Sequence, residues 1–185
     1  MAIDFKNLLL VLPHVTSANH PVLLRGRHGI GKSSVVYQYA TSVGLPVVER
    51  RASQMTEGDL LGLPKVDDDV TSFCPPDWFA TACSTGVLLF LDEVDRATLE
   101  VRQGIFELCD SRKLAGHTLH PETLIFAAVN GGTHAGAAAY QVGEMDPAEL
   151  DRYTVFDVEP SIDDWVAWAA TNCEALVVDF IRNNT

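Results

Sequence analysis

A glycine-rich block near the start of the chain has the residue types that grip a polyphosphate. The pattern G-x-x-x-x-G-K-[ST] and the serine after it are matched by Gly26, Arg27, His28, Gly29, Ile30, Gly31, Lys32, Ser33 and Ser34. Glycines let the backbone wrap closely around phosphates, and the amides of the loop and of the first helical turn donate to them. Lys32 is predicted to bring positive charge to the outer phosphates, and Ser33 a hydroxyl to Mg²⁺. The alternative is a chance glycine turn, which the flanking strand-like and helix-like segments disfavour.

Two acidic residues directly follow a long apolar run. A buried parallel strand is predicted for residues 87 to 91, and Asp92 and Glu93 come next. Ligands collect at the carboxyl ends of strands in open α/β sheets, so we expect Asp92 beside the phosphate loop, holding the Mg²⁺ shell through water. Glu93 is then suited to polarise a water molecule for attack on the γ-phosphate. The alternative, an acidic helix start, is common, but so apolar a preceding strand favours the catalytic interpretation.

Two more polar residues stand at the ends of predicted elements. Asn130 follows the apolar run of residues 123 to 129, where its amide could reach the γ-phosphate or the attacking water. An Asn before two glycines is also ordinary turn chemistry, but the neighbouring motifs favour a catalytic sensor. Arg152 precedes the last predicted strand, and an arginine there could stabilise a transferring phosphoryl group in a neighbouring subunit. The residues alone do not separate that role from a surface salt bridge with Asp151 or Glu149.

Hydrophobic periodicity predicts the elements that must position these side chains. Strands are predicted at residues 22–25, 45–49, 87–91, 123–129 and 154–158. Helices are predicted at residues 4–15 with an end at Pro13, at 32–43, at 98–110, and twice after Ser161. The inward stripe of the second helix is Val35, Val36, Tyr39, Ala40 and Val43. This alternation predicts an α/β fold, a three-layer αβα sandwich with a central, mostly parallel five-stranded sheet.

Other segments are less regular. Residues 52 to 80 suggest short helical turns near 56–61 and 78–83 with a hairpin or loop between them, and residues 131 to 147 suggest a loop. The acidic run at residues 67 to 69 is either a cation site or, more commonly, a solvated turn. Ser161 with Asp164 predicts a capped helix start. We therefore expect a core over residues 1–160, followed by two helices over residues 161–185.

Composition limits the classes of partner. The 185 residues carry a formal net charge of −12, which disfavours sequence-independent attraction to nucleic acid or to an anionic membrane. The four cysteines have no metal-binding spacing and are expected to be mostly buried thiols. The histidines form no convergent metal pattern, and His117 and His120 are expected to be ordinary surface residues. Without a recognisable secretory signal or membrane-spanning run, a soluble cytoplasmic protein is expected.

The order of the motifs resembles that of the AAA+ ATPases, and within them the MoxR-like, dynein-related branch. The carriers are the Walker A block ending at Ser33, a Walker B block at residues 88–93, a sensor at Val129-Asn130, and Leu150-Asp-Arg-Tyr153. The run Asp92-Glu-Val-Asp-Arg-Ala97 is similar to a block of that branch, and residues 59–64 look like its segment before a helix-2 insert. The resemblance implies that residues 161–185 begin a helical lid. The chain departs from the family there, because the lid looks truncated and Arg182 cannot be assigned as a lid sensor.

This resemblance implies ATP hydrolysis with Mg²⁺ in a ring of identical subunits, usually a hexamer. It implies a trans-acting role for Arg152 and an insert at residues 62–76 that faces a pore or a client. For Arg96 it implies either a contact with the neighbouring subunit or a coupling of nucleotide state to that subunit. Relatives of this kind remodel a protein client or assist cofactor insertion, often with a von Willebrand factor A partner. Two alternatives remain: a nucleotide-dependent binding switch with little turnover, and a nucleic-acid-dependent ATPase, which the acidic charge disfavours.

Overall fold

A computed structural model describes residues 2–131 and 145–184 of the chain. Its strands are β1 Val22–Arg25, β2 Val47–Arg51, β3 Leu63–Asp67, β4 Val70–Cys74, β5 Leu88–Asp92, β6 Lys113–Leu114, β7 His117–Thr118, β8 Leu124–Val129 and β9 Thr154–Asp157. Its α-helices are α1 Phe5–Ser17, α2 Lys32–Val43, α3 Glu57–Leu61, α4 Asp77–Ser84, α5 Leu99–Ser111, α6 Pro147–Leu150, α7 Ile162–Asn172 and α8 Ala175–Asn184.

Five strands form one parallel sheet in the order β2-β5-β8-β1-β9. Successive residues of a strand point to opposite faces, so β1 sends Val22 and Leu24 into one core and Leu23 into the other. Buried residues of α1 and α2 complete the first core, and those of α3, α4 and α5 complete the second. The predicted three-layer αβα sandwich is confirmed.

The sheet order brings the three strand ends that precede the predicted chemistry side by side. Strand β8 lies between β5 and β1, with Ala127 opposite Leu91 and Val129 opposite Arg25. Because all three strands are parallel, the residues that come after them emerge at the same edge of the sheet. The phosphate loop, the pair Asp92-Glu93 and Asn130 therefore share the carboxyl edge.

Two details of the predicted helices are wrong. Pro13 lies inside α1 and does not end it. The apolar face continues past Pro13 to the buried Thr16, whose hydroxyl bonds the Leu12 carbonyl at 3.0 Å and the Tyr39 hydroxyl at 2.6 Å. These contacts of the last turn offset the proline's missing N–H. Val43 is 42% exposed, because α2 has turned its last residue away from the sheet.

The second strand begins later than predicted, at Val47 rather than Leu45. The helix end explains the shift: Gly44 adopts a left-handed conformation with φ of +73°, and the Leu45 N–H donates to the Ala40 carbonyl at 3.0 Å. Leu45 is thus part of the helix C-cap and is unavailable to the sheet. The β6–β7 hairpin, whose turn uses Ala115 and Gly116 at positive φ, was not predicted.

Residues 62–76 are mainly an antiparallel hairpin of β3 and β4, one of the two forms predicted. The acidic run forms its tip: Asp68 and Asp69 both have positive φ, as two-residue hairpin turns require, and all three aspartates are exposed. A solvated turn is therefore the interpretation that the fold favours. His117 donates from Nε2 to the Phe73 carbonyl at 3.0 Å, so β7 is tied to this hairpin.

The carboxyl-terminal helices and the cysteines were predicted with mixed success. Ser161 caps α7 by accepting the Asp164 N–H at 3.3 Å, as predicted. All four cysteines lie in the described ranges as free thiols, but only Cys109 is fully buried and Cys74 is exposed on β4, so the expectation of mostly buried thiols is wrong.

Most of the loop predicted at residues 131–147 lies outside the described residues. Within the described ranges, the helices are too short or too polar to cross a membrane.

Candidate functional site

The glycine-rich block forms a loop from the end of β1 to the start of α2. Gly29 and Gly31 adopt φ of +78° and +104°, a region that residues with a Cβ rarely enter. Gly31 is also the N-cap residue of α2, and no side chain caps this helix. The amides of its first turn, including those of Ser33 and Ser34, therefore point out of the helix toward any anion that enters the loop.

Lys32 occupies the centre of the site although only 7% of it is exposed. Its Nζ donates to the carbonyls of Gly26 and Arg27 and to Oδ1 of Asn130, each at 2.9 Å. The ammonium thus joins the loop after β1 to the residue after β8. Arg27, His28 and Gly29 lie on the exposed outer part of the loop, and Ile30 packs against the α1–α2 core.

The two acidic residues after β5 have different surroundings. Asp92 is half-buried, and its Oδ1 accepts the Glu93 N–H at 2.8 Å. Glu93 has a left-handed backbone with φ of +54°, which turns the chain into a 3₁₀ turn over Val94–Arg96. Its Oε2 accepts the Ser53 hydroxyl at 2.5 Å, so a residue just after β2 holds the proposed base.

Asn130 is buried and held from two sides. Its side-chain Oδ1 accepts from Lys32, and its N–H donates to Oδ2 of Asp95 at 2.9 Å. Asp95 lies in the 3₁₀ turn and is only 5% exposed. The residues at the carboxyl ends of β1, β5 and β8 are therefore connected by hydrogen bonds in one cluster.

Burial shifts the pKa values of the charged groups in this cluster. It lowers the pKa of the Lys32 ammonium, while the nearby charges of Asp92, Asp95 and Glu93 act in the opposite direction. Burial raises the pKa of the Asp92 carboxyl; the hydrogen bond from the Glu93 N–H and the charge of Lys32 lower it, and the charge of Glu93 raises it. Each charge is thus costly to bury, and its neighbours offset only part of that cost, as in sites that receive a charged ligand.

The oxygen atoms near the loop suit Mg²⁺ better than softer metals. A serine hydroxyl at position 33 and the Asp92 carboxylate are hard donors. The described ranges hold no group of three or more His, Cys, Asp and Glu side chains able to enclose a metal. Mg²⁺ is commonly bound through few protein ligands, with phosphate oxygens and water completing its shell, so the donor set fits a nucleotide-bound magnesium ion.

Arg152 does not join this cluster. It precedes β9, whose first residue Thr154 pairs with Val22 at the start of β1, whereas the phosphate loop lies beyond the end of β1. About 10 Å of strand separates the two edges. The Arg152 guanidinium lies 3.5 Å from the centre of the Phe106 ring, and its Nε is 3.5 Å from Asp110. Glu149, one of the two salt-bridge partners considered from the sequence, pairs instead with Arg102.

Two residues of the cluster were missed as site residues by the sequence analysis. Ser53 comes after an edge strand, and no local pattern connects it to Glu93, 40 residues later. Asp95 was part of the recognised block Asp92–Ala97, but its inward direction depends on the left-handed Glu93 and the 3₁₀ turn. No local signal marked Asp95, because its direction follows from the left-handed backbone of Glu93 rather than from its spacing to Asp92.

Comparisons with known proteins find matches in sequence and in fold. A family model described as AAA domain (dynein-related subfamily) matches residues 21–153. Protein CbbQ of Hydrogenophilus thermoluteolus is 32% identical over 95 residues, which make up 51% of this chain and 35% of CbbQ.

Solved structures share the fold at low identity. The RuvB Holliday junction branch migration motor of Thermotoga maritima has a TM-score of 0.58 at 17% identity, covering 91% of this chain and 50% of RuvB. A closed state of Hsp104 with ATPγS and casein has a TM-score of 0.65 at 13% identity, covering 92% of this chain and 36% of Hsp104. The chain thus spans no more than half of each of these relatives. The match over residues 21–153 confirms the resemblance inferred from the motifs: the chain belongs to the dynein-related subfamily of AAA+ ATPase domains.

Proposed function

We propose that this chain binds ATP with Mg²⁺ at the carboxyl edge of its sheet and hydrolyses the terminal phosphoanhydride bond within a ring of identical subunits. The observation that carries the proposal is the hydrogen bond from Lys32 to Asn130, beside the carboxylates at the end of β5. Three adjacent strands thereby contribute groups to one small volume. A triphosphate is the ligand that uses a lysine, uncapped helix amides and acidic residues together.

The proposed binding groups are assigned from position and chemistry. The loop from Gly26 to Gly31 and the first turn of α2, including Lys32, Ser33 and Ser34, hold the phosphates. Ser33 and Asp92 hold Mg²⁺, with Asp92 acting through water. When bound, the metal neutralises charge on the β- and γ-phosphates. Lys32 must exchange its present acceptors for phosphate oxygens, and its release from Asn130 leaves the amide able to contact the γ-phosphate.

The proposed catalytic groups are Glu93 and Asn130 in the subunit that holds the nucleotide. Glu93 orients and polarises the attacking water once its carboxylate is released from Ser53, whose hydroxyl restrains it through the 2.5 Å hydrogen bond. Asn130 contacts the water or the γ-phosphate. A protein that only bound nucleotide would need neither group, which favours hydrolysis over a binding switch.

Arg152 is proposed to act on the nucleotide of a neighbouring subunit. Its distance from Lys32 along β1 argues against a role in its own site, and a guanidinium supplied in trans stabilises a transferring phosphoryl group. In that arrangement Arg152 leaves the Phe106 ring to enter the neighbour. Arg96, which is exposed beside the site, is the second candidate for contact with the adjacent subunit.

The biological task that we propose is remodelling of a protein client or assistance with cofactor insertion, by a cytoplasmic hexamer that works with a von Willebrand factor A partner. The exposed hairpin over β3 and β4 is the proposed client-facing insert, and α7 and α8 are the proposed start of the lid. The net charge of −12 argues against nucleic acid as the partner. The match to the family and to Protein CbbQ supports the AAA+ part of this proposal, and the protein client is proposed from the family resemblance.

The first test measures ATP turnover against protein concentration, with mass measured with and without a non-hydrolysable analogue. Glu93→Gln should bind the analogue as wild type does but hydrolyse ATP about a hundredfold more slowly. Glu107→Gln makes the same chemical change on the exposed side of α5 and should leave turnover unchanged. Turnover that rises steeply with concentration supports the ring; retained binding with flat, negligible turnover supports the binding switch instead.

The second test addresses action across subunits. Arg152→Ala and Glu93→Gln subunits should each be nearly inactive alone, but a mixture should recover activity, because some interfaces combine an intact Arg152 with an intact Glu93. Wild-type levels of activity in Arg152→Ala alone, or no recovery in mixed rings of normal mass, would contradict the trans role.

A further inference from the structure

A buried carboxylate holds the main chain of Asn130 in place. Asp95 is 5% exposed, and its Oδ2 accepts the Asn130 N–H at 2.9 Å. Val129 is the last residue of β8 that pairs with β1, so the Asn130 N–H lies just beyond that ladder. Asp95 therefore supplies the acceptor at the point where the strand pairing has ended.

The same residue is linked onward to the phosphate-binding lysine. Oδ1 of Asn130 accepts from Nζ of Lys32 at 2.9 Å. The direction of the Asn130 side chain depends on its main chain, which Asp95 fixes. Asp95, Asn130 and Lys32 thus form a continuous series from carboxylate through peptide and amide to ammonium.

A carboxylate is an expensive choice for a purely structural acceptor. Burial raises the pKa of Asp95, and the Asn130 N–H together with the charges of Arg96 and Lys32 only oppose that shift. Its Oδ1 has no hydrogen-bond partner within the described part of the chain. The Asn130 N–H is therefore the described contact that holds this carboxylate, and an uncharged oxygen at the same place could accept the same N–H.

We propose that Asp95 is a positioning residue for hydrolysis, which fixes the main chain of Asn130 so that its amide stays directed into the phosphate site, where it meets the Lys32 ammonium before nucleotide binds and the γ-phosphate afterwards. This inference rests on the proposed function of the same site. Asp95 acts through Asn130, so its loss changes the rate of the chemical step more than the affinity for nucleotide. A structural cap alone would instead change the stability of the fold and leave turnover per folded molecule intact.

The test compares Asp95→Ala, which removes the acceptor, with Asp95→Asn, which retains an oxygen at nearly the same place. At saturating MgATP, Asp95→Ala should lower kcat by about tenfold or more with KM within about threefold of wild type. Asp95→Asn should restore kcat to within about threefold of wild type. Asp179→Ala, an exposed aspartate on α8, is the matched control and should behave as wild type. If Asp95→Ala does not fold, Asp95→Ser takes its place in the test. The serine side chain is too short to replace the carboxylate at the Asn130 N–H, so the same loss of kcat is expected as for Asp95→Ala.

A double-mutant cycle with Asn130→Ala separates the positioning role from an independent one. In the Asn130→Ala background, Asp95→Ala should change kcat by less than about twofold, because its effect passes through the missing amide. Hydrogen exchange should show the Asn130 N–H protected in wild type and Asp95→Asn, and exposed in Asp95→Ala. Absence of turnover in wild type would overturn the proposed function itself. Normal wild-type turnover with an unchanged kcat for Asp95→Ala, or with fully additive losses in the double variant, would overturn only this inference.

Discussion

Replacing Gly26 by alanine tests whether the phosphate loop depends on close approach of its first residue to the end of β9. A Cβ at this position would lie 2.6 Å from the Val158 carbonyl oxygen and 2.8 Å from Cδ1 of Ile30. The isoleucine methyl can rotate away, but the carbonyl is part of the backbone. To reach even a 3.0 Å contact, Gly26 or Val158 must move by about 0.4 Å, the difference between 3.0 and 2.6 Å.

The Val158 side of the contact is firmly held. Its N–H donates to the Arg25 carbonyl at 2.7 Å, and the preceding Asp157 forms a bidentate ion pair with Arg25, with distances of 2.5 and 2.9 Å. The loop must therefore yield, which displaces the Gly26 carbonyl that accepts from Lys32. Overpacking of this kind costs about 1–3 kcal/mol. At this chain length that corresponds to a Tm lower by about 2–12 °C.

Thermal unfolding and analogue binding should be measured on Gly26→Ala and on two companions. Gly58→Ala, on α3, meets its nearest atom at an ordinary 3.9 Å and should be neutral or slightly stabilising. Gly29→Ala enters open space but has φ of +78°, so it carries backbone strain without a clash. Gly26→Ala should weaken analogue binding by about tenfold or more, since a displacement of this size misaligns the lysine. A Gly26→Ala protein with wild-type Tm and affinity would refute the packing described for this loop.

Three further perturbations have defined outcomes. Ser53→Ala should raise basal ATP turnover about two- to tenfold, because the Glu93 carboxylate no longer has to break a hydrogen bond to Ser53 before it can act on the attacking water. Equal or slower turnover would contradict a restraining role for Ser53. Burial raises the pKa of Asp92, so its ionised form destabilises the fold at neutral pH and this cost is relieved as pH falls through the folded pKa. Asp92→Asn should therefore have a higher Tm than wild type at pH 7, and this difference in Tm should shrink as the pH falls. A difference in Tm that grows toward acid pH would contradict the raised pKa of Asp92. Phe126→Ala removes a fully buried ring of β8 that packs against Tyr39, and denaturant unfolding should report a loss of about 3–5 kcal/mol; a loss below about 1 kcal/mol would contradict its place in the core.

Much of the fold and of the site could be predicted from local patterns. The apolar runs before Gly26, Asp92 and Asn130 are strongly periodic or continuous, and parallel strands deliver the residues after them to one edge. That rule is enough to predict a shared location for Lys32, Asp92 and Asn130 before any coordinates are available. Helix starts at Thr98 and Ser161 were equally predictable, because a capping side chain lies next to the helix it caps.

Tertiary structure decided the contacts that no spacing encodes. The order of strands placed Ser53 against Glu93, and the left-handed backbone of Glu93 turned Asp95 inward, although its neighbours in the sequence were equally compatible with an exposed acidic turn. The hydrogen bond between Thr16 and Tyr39 stabilises the last turn of α1, so the helix continues beyond Pro13. Local propensity specifies which element a segment forms and where that element ends, because those preferences involve residues a few positions apart. Which distant side chains meet depends on burial and register across the whole sheet, and only the folded chain determines those.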